Sequence, residues 1–129
     1  MLTRLYLGFN ALAIGSIGLV YLYDPNILLA RYGLETGSAG MDNMIRSTYG
    51  GVFVGAAVIF LLGVLDVRRR RDIVAFTAIF MAGSAIGRIA SIAAAGTPPA
   101  TVMPLLYYEC AAALIGLLLF LRAPKPGAG

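Results

Sequence analysis

Histidine and tryptophan are missing from this chain of 129 residues, cysteine occurs once, and only 12% of residues are charged. With no histidine and with Cys110 alone, neither a Cys/His zinc site nor an intramolecular disulfide can form. Haem-attachment and iron–sulfur spacings are missing for the same reason, so no metal or cofactor is expected. The low charge content separates the chain from soluble domains, in which about 25% of residues are charged. Nucleic-acid binding is also disfavoured despite a net charge of +4. Four of the ten basic residues form one run, Arg68-Arg69-Arg70-Arg71, between two apolar stretches. Such a run marks membrane topology and not a phosphate-tracking patch. What remains is 60% hydrophobic, with a mean hydropathy of +0.86, and it reads as one compact integral membrane bundle.

Four apolar stretches reach the roughly 20 residues that a helix needs to cross a bilayer. They run from Leu5 to Tyr23, Asp42 to Leu65, Ile73 to Ala95 and Pro104 to Leu121. The first is an uncleaved helix, because its Ala11-Leu12-Ala13 comes too early to follow the apolar core of a signal peptide. Arg4, the arginine run, Arg122 and Lys125 share one side, whereas the opposite loops hold only Arg31 among basic residues. The positive-inside rule therefore puts both termini in the cytoplasm. Tyr21, Tyr23, Tyr32, Tyr107 and Tyr108 then fall at the outer interface, as an aromatic belt would. Between the first two spans, Asp24 is a good N-cap, Pro25 suits a first helical position and Gly33 suits a helix end. A short helix along the outer surface follows. The expected fold is thus all-α: a four-helix transmembrane bundle over residues 1–122, N-in/C-in, with that outer helix. A disordered cytoplasmic tail is expected over 123–129. Small residues mark helix–helix contacts: Gly51 with Gly55, and Gly83 with Gly87, have the spacing that lets membrane helices approach closely, and Gly8, Gly15 and Gly18 dot the first span.

Arg46, Arg88 and Glu109 lie inside three different spans, and ionisable groups persist in hydrocarbon only when paired, hydrated or used. At 1.5 Å rise per residue all three fall in the outer half of the membrane, close enough for long side chains to meet. Ser84, Arg88 and Ser91 share one face of the third span, while Asp42, Arg46 and Tyr49 line one side of the second. If Asp42 faces solvent, one guanidinium lacks a buried partner, and an oxyanion can fill the place. Arg46, Tyr49, Ser84, Arg88, Ser91 and Glu109 are therefore the candidate ligand-binding residues. The alternative is structural: Arg88 and Glu109 fix helix register while Arg46 snorkels to the headgroups. Cys110, with no base to activate it, reads as a small buried hydrophobe, and Asn10 as a bond between helices.

The order Asp24-Pro25, Arg46-x-x-Tyr49-Gly50-Gly51, Gly87-Arg88 and Glu109 resembles the bacterial family catalogued as domain of unknown function 4345. The resemblance runs from about Leu5 to Leu121. It implies a small four-helix protein of the bacterial inner membrane and adds weight to Arg46, Tyr49, Arg88 and Glu109. It implies no reaction. Three functions stand open. The first is binding of a lipid-like or anionic molecule in an outward-facing polar pocket. The second is a cofactor-free isomerase with Glu109 as general base and Tyr49 or an arginine stabilising the oxyanion. The third is an accessory subunit of a membrane complex. The expected partners are accordingly membrane lipids, an anionic or amphipathic ligand, and a second copy or another membrane subunit.

Overall fold

The structure, a computed structural model, describes residues 1–123. Residues 124–129 of the expected tail lie outside the described residues. The described chain is helical without strands. Helix α1 spans Leu2–Tyr23. The short α2, Asn26–Leu29, is extended by a 3-10 turn over Ala30–Tyr32. Helices α3, α4 and α5 cover Ala39–Leu65, Arg70–Ala95 and Met103–Arg122. The described residues thus form five helices, and four of them are long and apolar enough to cross a membrane. Leu12, Leu65, Ile79 and Leu121, one on each of these four helices, stand outward, a surface suited to lipid and not to water.

Helix α2 forms where the turn residues require it. The Asp24 carboxylate accepts the Asn26 N–H at 3.0 Å. At the far end Gly33 takes a φ of 70°, and the Leu34 N–H reaches the Leu29 carbonyl. That pairing is the Schellman closure, which favours glycine in the left-handed position. Leu29 is buried, so α2 folds back over one end of the bundle.

The long helices pack as two pairs, α1 along α3 and α4 along α5, and the pairs meet chiefly through α3 and α4. Phe60, Leu7, Met81 and Val74 are completely enclosed. Phe53, Phe60, Phe76 and Phe80 form an aromatic seam between the pairs, with ring centroids near 6 Å. Gly83 and Gly87 do not mediate the packing: a side chain added at either would meet nothing within 4 Å. Gly51 and Gly55 also face outward. The close approaches use Gly18 and Gly116 instead, because the glycine that matters is the one on the inward arc of its helix.

A short polar chain ties α1 to α5. Tyr108 Oη donates to Asn10 Oδ1 at 2.8 Å, and Asn10 Nδ2 donates to the Tyr6 carbonyl at 2.7 Å. Tyr6 Oη donates to the Ala112 carbonyl at 2.9 Å. Asn10 does bond across helices, as expected. Asn10→Leu is expected to destabilise the protein by about 1–3 kcal/mol, because it strands the Tyr108 hydroxyl. Unfolding in detergent measures this, and a loss below about 0.5 kcal/mol would remove the bond from the account of stability.

Candidate functional site

The loop between α4 and α5 returns the chain antiparallel, so residues near the end of α4 face residues near the start of α5. Arg88 and Glu109 meet in this way. Arg88 Nε donates to Glu109 Oε2 at 2.7 Å, and the side chains are 34% and 10% exposed. The contact uses Nε alone. Neither terminal nitrogen of Arg88 has a hydrogen-bond partner among the described residues. Cys110, one residue on, turns roughly 100° from Glu109 around the helix. It is exposed, not buried as the sequence reading had it.

Beside this pair lies a cleft of about 300 Å³ to which all five helices contribute. Tyr21 of α1 and Tyr49 and Phe53 of α3 line it as an aromatic wall, with centroid distances of 5.5 and 5.7 Å along the series. Leu29 and Tyr32 of α2 close one end. The polar side is Ser84 and Arg88 from α4 with Tyr108 and Glu109 from α5. Ser91 borders a separate pocket of about 90 Å³, and Arg88 lines both. Arg88 and Val102 thus form the common wall of the two cavities.

Arg46 is elsewhere. Its Nε binds Asp42 Oδ2 at 2.6 Å, and its Nη1 donates to the carbonyls of Leu22 and Tyr23 at the end of α1. A guanidinium at a helix C-terminus satisfies carbonyls that the helix leaves unpaired and complements its dipole. The expected meeting of three charges therefore does not occur. Two closed pairs take its place, Arg46 with Asp42 and Arg88 with Glu109. Since Asp42 is Arg46's partner, the argument for a leftover guanidinium does not hold.

The reason is that Asp42 and the end of α1 together take up all three nitrogens of Arg46. Arg46 is left at the end of α1, while Tyr49 reaches the cleft. Over Arg46–Gly51 the third helix widens into a π turn, in which the Val52 N–H bonds to the Ser47 carbonyl. The sequence carries a trace of this in Ser47-Thr48-Tyr49-Gly50-Gly51, a run of weak helix formers. Gly50 is buried against Leu22 without room for a side chain.

Sequence reasoning missed Tyr21 and Tyr108 as site residues by assigning them to an aromatic belt. Tyr21 is buried and Tyr108 hydrogen-bonded inside the bundle, and only Tyr23 and Tyr107 of the supposed belt stand fully exposed. Their inward direction follows from helix phase: Tyr21 shares an arc with Ile14 and Gly18, and Tyr108 with Ala112. Among the described residues no three side chains of metal-ligand type come together. The acidic group at the cleft is Glu109. What the arrangement offers chemically is one partly committed guanidinium with its carboxylate, a serine hydroxyl and four tyrosines in an otherwise apolar enclosure.

No curated protein and no solved structure matches the chain. A family model described as a domain of unknown function (DUF4345) matches residues 2–120, so the chain belongs to that family.

Proposed function

We propose that the cleft binds a small amphipathic molecule through its acidic group. The observation that carries this reading is the state of Arg88: Glu109 holds it through Nε alone, and both terminal nitrogens remain uncommitted among the described residues. A guanidinium fork aligned by a carboxylate is a good donor site for a carboxylate or phosphate oxygen pair. Ser84 and Tyr49 supply hydroxyls nearby, and the Tyr49 hydroxyl has no hydrogen-bond partner among the described residues. The aromatic wall suits an apolar body, and mostly apolar pockets with a few polar groups are typical ligand sites. At about 300 Å³ the cleft fits a small ligand or the head and first carbons of a lipid. Ser91 would contact a group that extends past Arg88 into the smaller pocket. Arg46 is assigned to positioning: it anchors the end of α1 beside Tyr21.

The arginine-bearing end of the bundle supports an orientation with both termini in the cytoplasm of a bacterial inner membrane. The cleft then opens toward the outer leaflet, with α2 at its mouth. The isomerase reading has to work through Glu109 Oε1, since Oε2 is held by Arg88, whereas binding uses the pair as it stands.

The test is native mass spectrometry of the protein released from its own membranes with lipids retained. One stoichiometric adduct is expected, lost in Arg88→Lys and kept in Arg46→Gln. Lysine preserves a cation opposite Glu109 but not the fork. An adduct equally retained by Arg88→Lys, a bare protein, or a protein subunit in place of the adduct would overturn the reading.

A further inference from the structure

The opposite end of the bundle holds a larger cavity, of about 510 Å³, into which four guanidinium-bearing residues converge. Arg68 comes from the loop before α4, Arg70 and Arg71 from its first turn, and Arg122 from the end of α5. Val74 and Leu119 form an apolar wall between them. Among the described residues no carboxylate lines the cavity. Asp72, next to Arg71 in sequence, is exposed and does not line it, and Asp66 is spent elsewhere: it pairs with Arg69 at 3.3 Å and accepts the Arg68 backbone N–H at 2.8 Å.

The arginines are not equivalent. Arg70 is committed, donating Nε to the Gly63 carbonyl and Nη2 to that of Val64, and so closes the end of α3. Arg71 is held in place but unsatisfied. Its guanidinium carbon lies 4.1 Å from the centre of the Phe120 ring, and its Nε is buried with no hydrogen-bond partner among the described residues. A buried donor without a partner is uncommon, and a ligand is one thing that satisfies it. Arg68 and Arg122 have no salt-bridge partner among the described residues.

Like charges gathered around a hollow repel one another until an anion occupies it. We propose that this end of the protein is a second binding site, for a phosphate ester. Arg71, Arg122 and Arg68 hold the phosphate oxygens, and Val74 and Leu119 receive the adjoining carbon chain. Tetrahedral oxyanions match guanidinium geometry, and the apolar wall favours the phosphate of an anionic lipid over a free ion. This site shares no residue with the Arg88 cleft.

The full-length protein in detergent, stripped of lipid, is titrated with phosphatidylglycerol, phosphatidylcholine or inorganic phosphate and read by native mass spectrometry. Phosphatidylglycerol is expected to bind in preference to phosphatidylcholine. The R71Q/R122Q variant should lose about tenfold or more in that affinity, since two charge-assisted contacts go. R4Q/R69Q removes the same charge from the same end but not from the cavity, and should bind as the parent does. Arg122→Gln alone, which leaves Arg71 on Phe120, should show a smaller loss and guards against misfolding. Displacement of the lipid by millimolar inorganic phosphate would keep the site and make free phosphate esters its ligands. No preference over phosphatidylcholine, or equal losses in both double variants, would overturn it. Arg88→Lys should leave this binding unchanged, which separates the two sites.

Discussion

Glu109→Leu is expected to destabilise the protein by about 3 kcal/mol, and Arg88→Met by a similar amount, whereas the double variant recovers most of the loss. The cause is the asymmetry of a buried ion pair. Removing one member leaves a charge in a low-dielectric site with nothing to offset its lost hydration, while removing both leaves an apolar contact. The value is put at the low end of the range for buried pairs because 34% of the Arg88 side chain is exposed and can borrow solvent through the cleft. Unfolding of the four proteins in one detergent gives the double-mutant cycle directly. A coupling of roughly 2 kcal/mol or more is expected, since the partners touch at 2.7 Å. Independent, additive losses would mean that the pair is not formed in the membrane protein, and the aligned Arg88 fork would go with it. The cycle concerns stability alone. Ligand retention in Arg88→Lys is what separates a binding arginine from a merely structural one.

Most of the fold was legible because a membrane bundle writes its elements as length and hydropathy. Each span expected from the sequence lies within an observed helix, and the Asp24, Pro25 and Gly33 signals located α2. The Arg88–Glu109 pairing was legible too, since the two residues lie at matching distances from a short loop that reverses the chain. What the sequence hid was phase. The side of α3 that carries Asp42, Arg46 and Tyr49 turns toward the end of α1, where Asp42 and two carbonyls take up Arg46. Phase also decided the belt tyrosines, three of which (Tyr21, Tyr32 and Tyr108) line the cleft. The aromatic belt rule uses depth along the helix and says nothing of direction around it. The glycines taught the same lesson. Spacing singled out Gly83 and Gly87, which face outward, but only the backbone could show which glycines touch a neighbour.

Gly18→Leu follows from that last point and should be the most damaging single substitution on α1. A Cβ at position 18 would lie 2.9 Å from the Phe53 Cβ, 2.9 Å from the Val54 backbone nitrogen and 3.0 Å from the Gly50 carbonyl oxygen. Two of those three atoms are backbone and cannot swing aside, so α1 and α3 must part. Overpacking of a tight core commonly costs about 1–3 kcal/mol, and a rigid backbone contact belongs at the upper end. The same separation would pull Tyr21 from Tyr49 and the Leu22 and Tyr23 carbonyls from Arg46, contacts that all lie within five residues along α1. Gly83→Leu is the matched control: a Cβ there meets nothing within 4 Å, and a change within about 0.5 kcal/mol is expected. Unfolding midpoints in detergent compare the two, and tyrosine fluorescence reports the Tyr21–Tyr49 contact. A reversed order would place the close helix contact on α4 and detach the aromatic wall of the cleft from the α1–α3 pair. The expected order would tie that wall to an interface that has no room for a side chain larger than hydrogen at Gly18.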